Sequence, residues 1–280
     1  MNRTFLLATV LYMIFVIYGS LVPLEFKDLP MDTAISQFKG IRYLQLGPDS
    51  RADWVANIVL YIPLAFFASA TFGGVRYPLI RALLAVVVLI FCIALAIAVE
   101  FTQLFYPPRT VSLNDLIAES LGTVIGVLVW QFFGAYFSRL YHHLLRGSLL
   151  SAQAAIVFYL LIYIALSLFP YDFVTSIAEL KTKIANGNDA VVMSFWLCSE
   201  APVRCGIKLI SEVVVLMPLG LLFCYVPNLK HRKTMAILVG LFLGVVIEGV
   251  QVFLLSGAGQ GISVVMRMVG MGAGVSLGHL

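Results

Sequence analysis

Charged residues are so sparse and so unevenly placed that most of this chain runs in apolar blocks long enough to cross a lipid bilayer. Only 11% of its 280 residues are charged and 61% are hydrophobic, against about 25% charged in an ordinary soluble domain. A water-soluble fold has no means of covering blocks of this length. Runs able to span the ~30 Å hydrocarbon layer begin near Thr4, Trp54, Leu79, Leu113, Leu149, Ile207, Met235 and Ile262. The expected fold class is therefore all-α, a polytopic transmembrane helical bundle of about eight spans. Arg267 interrupts the last run, and Gly270, Gly272, Gly274 and Gly278 lower its helix propensity, although glycine is common where membrane helices touch. The first run follows Met1, Asn2 and Arg3 as a signal peptide would, but no small-x-small cleavage site comes after it, so it reads as an uncleaved anchor.

The net charge of +4 does not indicate a nucleic-acid partner, because the basic residues stand singly between apolar blocks. Their placement sets topology instead. Arg3, Arg76 and Arg81, Arg139 and Arg146, and Lys230, Arg232 and Lys233 occupy alternate connections. The short connections on the other side, 106–112 and 256–261, carry only Arg109. Both termini are therefore expected in the cytoplasm. Cys92 and Cys224 lie inside apolar blocks, whereas Cys198 and Cys205 lie in a polar stretch on the far side, where a disulfide and two free thiols both remain open. His142, His143, His231 and His279 fall in short loops or at the C-terminus. Their spacing suggests no metal site, and no cofactor is expected.

The two halves echo one another, which divides the chain at 1–147 and 148–280. Residues 18–26 (YGSLVPLEF) resemble 165–173 (ALSLFPYDF); 57–65 (NIVLYIPLA) resemble 212–220 (EVVVLMPLG); 99–105 (VEFTQLF) resemble 247–253 (IEGVQVF). Three landmarks in one order argue for duplication. With four spans per unit, both copies enter the membrane in the same sense, giving a parallel repeat of four-helix units.

Ionisable groups at membrane depth cost a few kcal/mol or more, so each is a candidate for function. Glu100 and Gln103 share a face at the end of the third span. Ser112 and Asp115 form a variant capping box for the fourth, with Glu119 one turn deeper and Gly122 and Gly126 as a small-residue contact strip. Between them, the stiff turn at Pro107 and Pro108 presents Arg109, whose guanidinium can fork towards a carboxylate or phosphate. The same residues could equally form a structural hydrogen-bond network, with Asp115 acting as a helix cap. Asn57 and Glu212 read more readily as helix-packing polar groups than as ligands. No nucleotide-binding glycine loop occurs, and no histidine lies on the far side to build a catalytic triad.

The segment 99–126, VEFTQLFYPPRTVSLNDLIAESLGTVIG, resembles the signature of the VanZ-like membrane family: Glu-x-x-Gln, then Arg, Asp, a polar residue and two glycines. Asp53 and Asn57 with Pro63 resemble its upstream motif, and the likeness covers residues 5 to 135. Two departures stand out. Glu119 replaces the family's usual Asn, adding a carboxylate. In the second half Glu248 and Gln251 match Glu100 and Gln103, but a glycine-rich loop replaces the arginine loop, and Arg267 falls near the position equivalent to Asp115. That half reads as a degenerate, supporting copy in which Arg267 could be a counter-charge, also for Glu248.

The resemblance implies a cell-envelope role in a bacterial-type cytoplasmic (inner) membrane, and an association with resistance to a glycopeptide antibiotic. The expected site is an extracytoplasmic polar pocket of Asp53, Asn57, Glu100, Gln103, Arg109, Asp115 and Glu119, with Glu212, Glu248, Gln251 and Arg267 as second-half counterparts. Its expected partners are membrane lipid and a cell-wall precursor or amphiphilic ligand. A proton-coupled transporter and a transferase or hydrolase on a lipid-linked substrate are the competing expectations. With no nucleophile or metal visible, the enzyme is the weaker of these.

Overall fold

A computed structural model describes residues 2–43, 47–75, 77–145, 151–185, 202–226, 229–257 and 259–278. Arg76, Arg146, Cys198 and His279 lie outside them. Ten helices form among the described residues: α1 (Arg3–Leu21), α2 (Met31–Lys39), α3 (Pro48–Thr71), α4 (Pro78–Gln103), α5 (Leu113–Leu145), α6 (Ser151–Ser167), α7 (Ile177–Ala185), α8 (Pro202–Phe223), α9 (Arg232–Val252) and α10 (Gly261–Leu277). The eight apolar runs become α1, α3, α4, α5, α6, α8, α9 and α10. Six of these are long and apolar enough to cross a membrane; α6 and α10, with 17 residues each, are shorter apolar helices. At 1.5 Å per residue they measure about 25 Å.

The two additional helices, α2 and α7, are short and amphipathic, and each follows the first apolar helix of its half. Met31, Ala34, Ile35 and Phe38 recur at helical spacing in α2. Ser176 caps α7 by accepting the Glu179 N–H at 3.1 Å, and the Glu179 carboxylate accepts the Thr175 N–H at 3.0 Å. This is close to a capping box. The buried Lys183 of α7 donates to the carbonyls of Val252, Leu254 and Gly257, acceptors at and just past the end of α9. Burial pushes its ammonium below the ordinary lysine range, and the Asp172 carboxylate opposes that shift.

The chain forms two compact units, Met1–Tyr136 and Phe137–Leu280, with the boundary inside α5. In the first, α1 packs on α3 and α4 around a core that includes Val16, Tyr61, Leu64, Val88, Cys92 and Val127. In the second, α10 packs against α8 and α9 around Tyr163, Leu216, Leu219, Ile247, Met271 and Val275. Large apolar side chains also cover the outside, as at Leu79, Leu83 and Ile90 of α4 or Phe132 of α5. Such a surface suits lipid rather than water.

Small residues let these helices approach at backbone distance. A Cβ on Gly122 or Gly126 would lie 2.3 Å from the carbonyl oxygen of Ile58 or Ile62 on α3. On α10, one on Gly270 or Gly274 would lie 2.6 or 2.1 Å from that of Val213 or Met217 on α8. Gly249 has nothing within 4 Å. Gly274→Ala is therefore expected to destabilise the protein by about 1–3 kcal/mol through overpacking. Gly249→Ala is expected to be neutral, or stabilising by up to about 1 kcal/mol through helix propensity. Thermal unfolding of the two variants in detergent micelles checks both signs.

Candidate functional site: a buried polar cluster in each unit

In the first unit, three helices direct polar groups to one place. On α3, Asp53, Asn57 and Tyr61 recur every four residues and so share a face. The last turn of α4 brings Glu100, and the first two turns of α5 bring Asp115 and Glu119, with Ser112 just ahead of them. Both oxygens of Asp115 are satisfied: Asn57 Nδ2 donates to Oδ1 at 2.8 Å, and Ser112 Oγ donates to Oδ2 at 2.6 Å. The Asp115 N–H in turn points at Ser112 Oγ at 3.3 Å, the capping arrangement expected from the sequence.

The two glutamates differ from Asp115. Glu100 is 1% exposed and Glu119 is 2% exposed. The Ser112 backbone N–H serves Glu100, yet Oε2 of each glutamate has no hydrogen-bond partner. The Tyr61 hydroxyl stands beside Glu119 but makes no hydrogen bond of standard geometry, and Thr123 Oγ1, one turn deeper on α5, is also unpartnered. Among the described residues no lysine or arginine forms an ion pair with Glu100, Asp115 or Glu119.

Three residues expected in the pocket lie elsewhere or at its margin. Arg109 is exposed, and its guanidinium donates to the carbonyls of Val22 (2.8 Å) and Gly19 (3.1 Å) at the end of α1. Backbone acceptors at a helix C-terminus take the cation that the sequence reading directed at the carboxylates. Gln103 also turns to α1, donating to Ser20 O at 3.1 Å. Asp53 is exposed.

The second unit holds the same framework with different charges. Gln251 donates to Ser167 O at 3.2 Å as Gln103 does to Ser20. The Gln260 N–H donates to Glu248 Oε2 at 2.5 Å as that of Ser112 does to Glu100. Glu119 and Arg267 each follow their glutamate, Glu100 or Glu248, by nineteen residues. Arg267 thus stands in register with Glu119, and Ser263 stands in register with Asp115, which corrects the position inferred from the sequence. Buried to 3% exposure, Arg267 donates from Nη1 to Glu248 Oε1 at 2.5 Å and from Nε to the Tyr163 hydroxyl at 2.8 Å. Its Nη2 reaches Glu212 Oε1 at 3.5 Å. Lys208, in register with Asp53, lies 3.9 Å from Glu212 and donates to Gln260 Oε1 at 2.7 Å.

Tyr61, Tyr163, Lys208 and Gln260 were missed from sequence. For Lys208 the signal was present, since it precedes Glu212 by four residues. The tyrosines sat unmarked in apolar runs. Cys205 is disulfide-bonded, whereas Cys92 and Cys224 are free and buried. Among the described residues no group of three His, Cys, Asp or Glu side chains is placed to hold a metal ion. What the first cluster offers is buried carboxyl groups with acceptor oxygens still open.

Long apolar helices, lipid-suited outer faces and buried polar clusters define a polytopic helical membrane protein. Residues 5–134, in the first half of the chain, match the VanZ/LLP1 family model, and the match covers the first of the two clusters. Neither the curated proteins nor the solved structures yield a match to the chain.

Removing one partner of a buried ion pair leaves the other charge uncompensated, at a cost of about 3–5 kcal/mol. Arg267→Met is expected to destabilise the protein on that scale, and adding Glu248→Met should recover much of the loss. Melting temperatures of the single and double variants at equal detergent concentration decide it.

Proposed function

We propose that this protein serves the cell envelope by binding an amphiphilic molecule through the polar cluster of its first unit. The ligand class is an envelope lipid, a cell-wall precursor or a glycopeptide-type amphiphilic drug, engaged from the extracytoplasmic side of the cytoplasmic membrane. One observation carries the reading: within the VanZ-like segment, buried carboxylates converge from two neighbouring helices with acceptor oxygens that the protein leaves unused. A network built only for packing closes most of its own hydrogen bonds, as Asp115 does with Asn57 and Ser112; in the second unit Glu212 also has an open Oε2, but its other oxygen faces Arg267.

The second unit supports the same division of labour. Its framework contacts match those of the first, which favours descent by duplication, while its charges neutralise one another internally. It is read as a diverged copy whose task is structural.

Native mass spectrometry of the protein extracted from its own membrane tests the proposal. The wild type is expected to carry a bound amphiphile that Glu100→Ala and Glu119→Ala lose at equal protein level, together with the envelope-stress phenotype of the intact gene. Unchanged bound species and unchanged phenotype in both variants would remove the reading.

A second reading, a proton-coupled transporter of a polar or amphiphilic solute, is favoured by the same unused carboxylates at membrane depth. Solute flux into proteoliposomes that follows an imposed pH gradient separates it from binding alone.

A further inference from the structure

The register between the two units turns one position into a controlled comparison. At the place of Arg267, a fixed guanidinium neutralises the buried Glu248 and meets Glu212. At the same place in the first unit stands another carboxylate, Glu119, facing the field of Glu100. Both first-unit glutamates are almost wholly buried, and each keeps one oxygen with no partner. The rim changes in the same direction, with exposed Asp53 where the second unit has Lys208. The second unit sums to zero over Lys208, Glu212, Glu248 and Arg267. The first has four carboxylates, Asp53, Glu100, Asp115 and Glu119, and no cation paired with any of the buried three among the described residues.

Among the described residues, the neighbouring elements pair no other cation with these carboxylates. From α3, the groups near the pair are Asn57, bound to Asp115, and the neutral Tyr61 hydroxyl; Arg51 of the same helix directs Nε to Gly47 O at 3.4 Å. From α4 come Gln103, engaged with Ser20, and the free thiol Cys92. From α5 comes Asp115 with both oxygens already accepting. The titratable groups of α1 are Arg3 and Tyr18, both exposed, and Tyr12, which packs on Phe15 and Phe67. Asp32 and Lys39 of α2 are exposed. Two ionised glutamates left together in such a site would be driven to neutralise rather than remain charged.

We propose that Glu100 and Glu119 form a proton-binding site, which holds an exchangeable proton where the second unit carries the fixed charge of Arg267. A proton on either glutamate removes one negative charge and converts an unpartnered acceptor into an O–H donor. Asp115 differs from both, because Asn57 and Ser112 donate to its two oxygens. At this one register position the second unit thus carries a permanent positive charge and the first a removable one. The site needs no amphiphile to be detected, so it stands or falls apart from the binding reading above.

Infrared spectroscopy of the full chain in lipid nanodiscs tests it. At about pH 7 an ordinary glutamate, with a pKa near 4.3, is ionised. The wild type is nonetheless expected to show a protonated-carboxyl C=O band that shifts in D2O and disappears on alkalinisation. Glu119→Arg, which installs the second unit's charge pattern, is expected to abolish the band. The near-isosteric Glu100→Gln/Glu119→Gln variant provides the same readout should the arginine not be accommodated, with circular dichroism reporting the fold of each. No such band in the wild type at neutral pH, or a band that persists in Glu100→Gln/Glu119→Gln, overturns the proposal. A folded Glu119→Arg that retains the band overturns it as well.

Discussion

Inside a helical bundle surrounded by hydrocarbon, a charge is tolerated only when the same bundle supplies its compensation. The contact of Arg267 with Glu248 and Glu212 is the plainest instance here. It joins α8, α9 and α10 at one point and is reached from α6 by the Tyr163 hydroxyl. Four helices of the second unit therefore meet on one guanidinium, whose planar fork suits several acceptors at once. The first unit places its polar groups at the same register and omits that guanidinium. Everything distinctive about its chemistry follows from the omission.

Close helix approach makes these clusters dry. Gly122 and Gly126 bring α5 against the backbone of α3, and Gly270 and Gly274 do the same for α10 and α8. A larger side chain at those positions would separate the helices that hold Asn57 and Asp115, or Glu212 and Arg267. Packing and electrostatics are coupled through this geometry: the nearer the backbones, the less room for water beside the carboxylates, and the more each unmade hydrogen bond costs. In the sequence, the glycines of the last run lower helix propensity and also mark a helix contact surface. In the structure they are the surface by which that helix docks.

The eight apolar runs were legible because bilayer thickness imposes a length that composition alone reveals, although α6 and α10 fall short of it. The nine-residue helices α2 and α7 were not read, since short amphipathic segments in long polar loops carry little signal beyond Met31, Ala34, Ile35 and Phe38, or the Ser176 and Glu179 cap. In the site, carboxylates at membrane depth announced themselves by their cost, and the Ser112 and Asp115 cap by its spacing. Partner choice was not legible. Arg109 lay between Glu100 and Asp115 in sequence, yet the free carbonyls of Gly19 and Val22 hold it at the end of α1. Competition between a backbone acceptor and a side-chain acceptor depends on where a helix stops in space, which residue order does not give.

That competition also bears on why the first cluster stays uncompensated. Arg109 is engaged by α1 and exposed, so it can neutralise Glu100 or Glu119 only by leaving both carbonyls and entering a dry site, losing contacts at one end and hydration at the other. A mobile cation of small size meets neither obstacle. Glu119, which stands where the VanZ-like signature that the segment resembles has an amide, is the second buried carboxylate that such a cation would offset. With Asn at that position, Glu100 would face a neutral neighbour and the buried excess charge would fall by one. On the proposal above, this second carboxylate is what changes the kind of site, since a proton can offset there the charge that Arg267 offsets in the second unit.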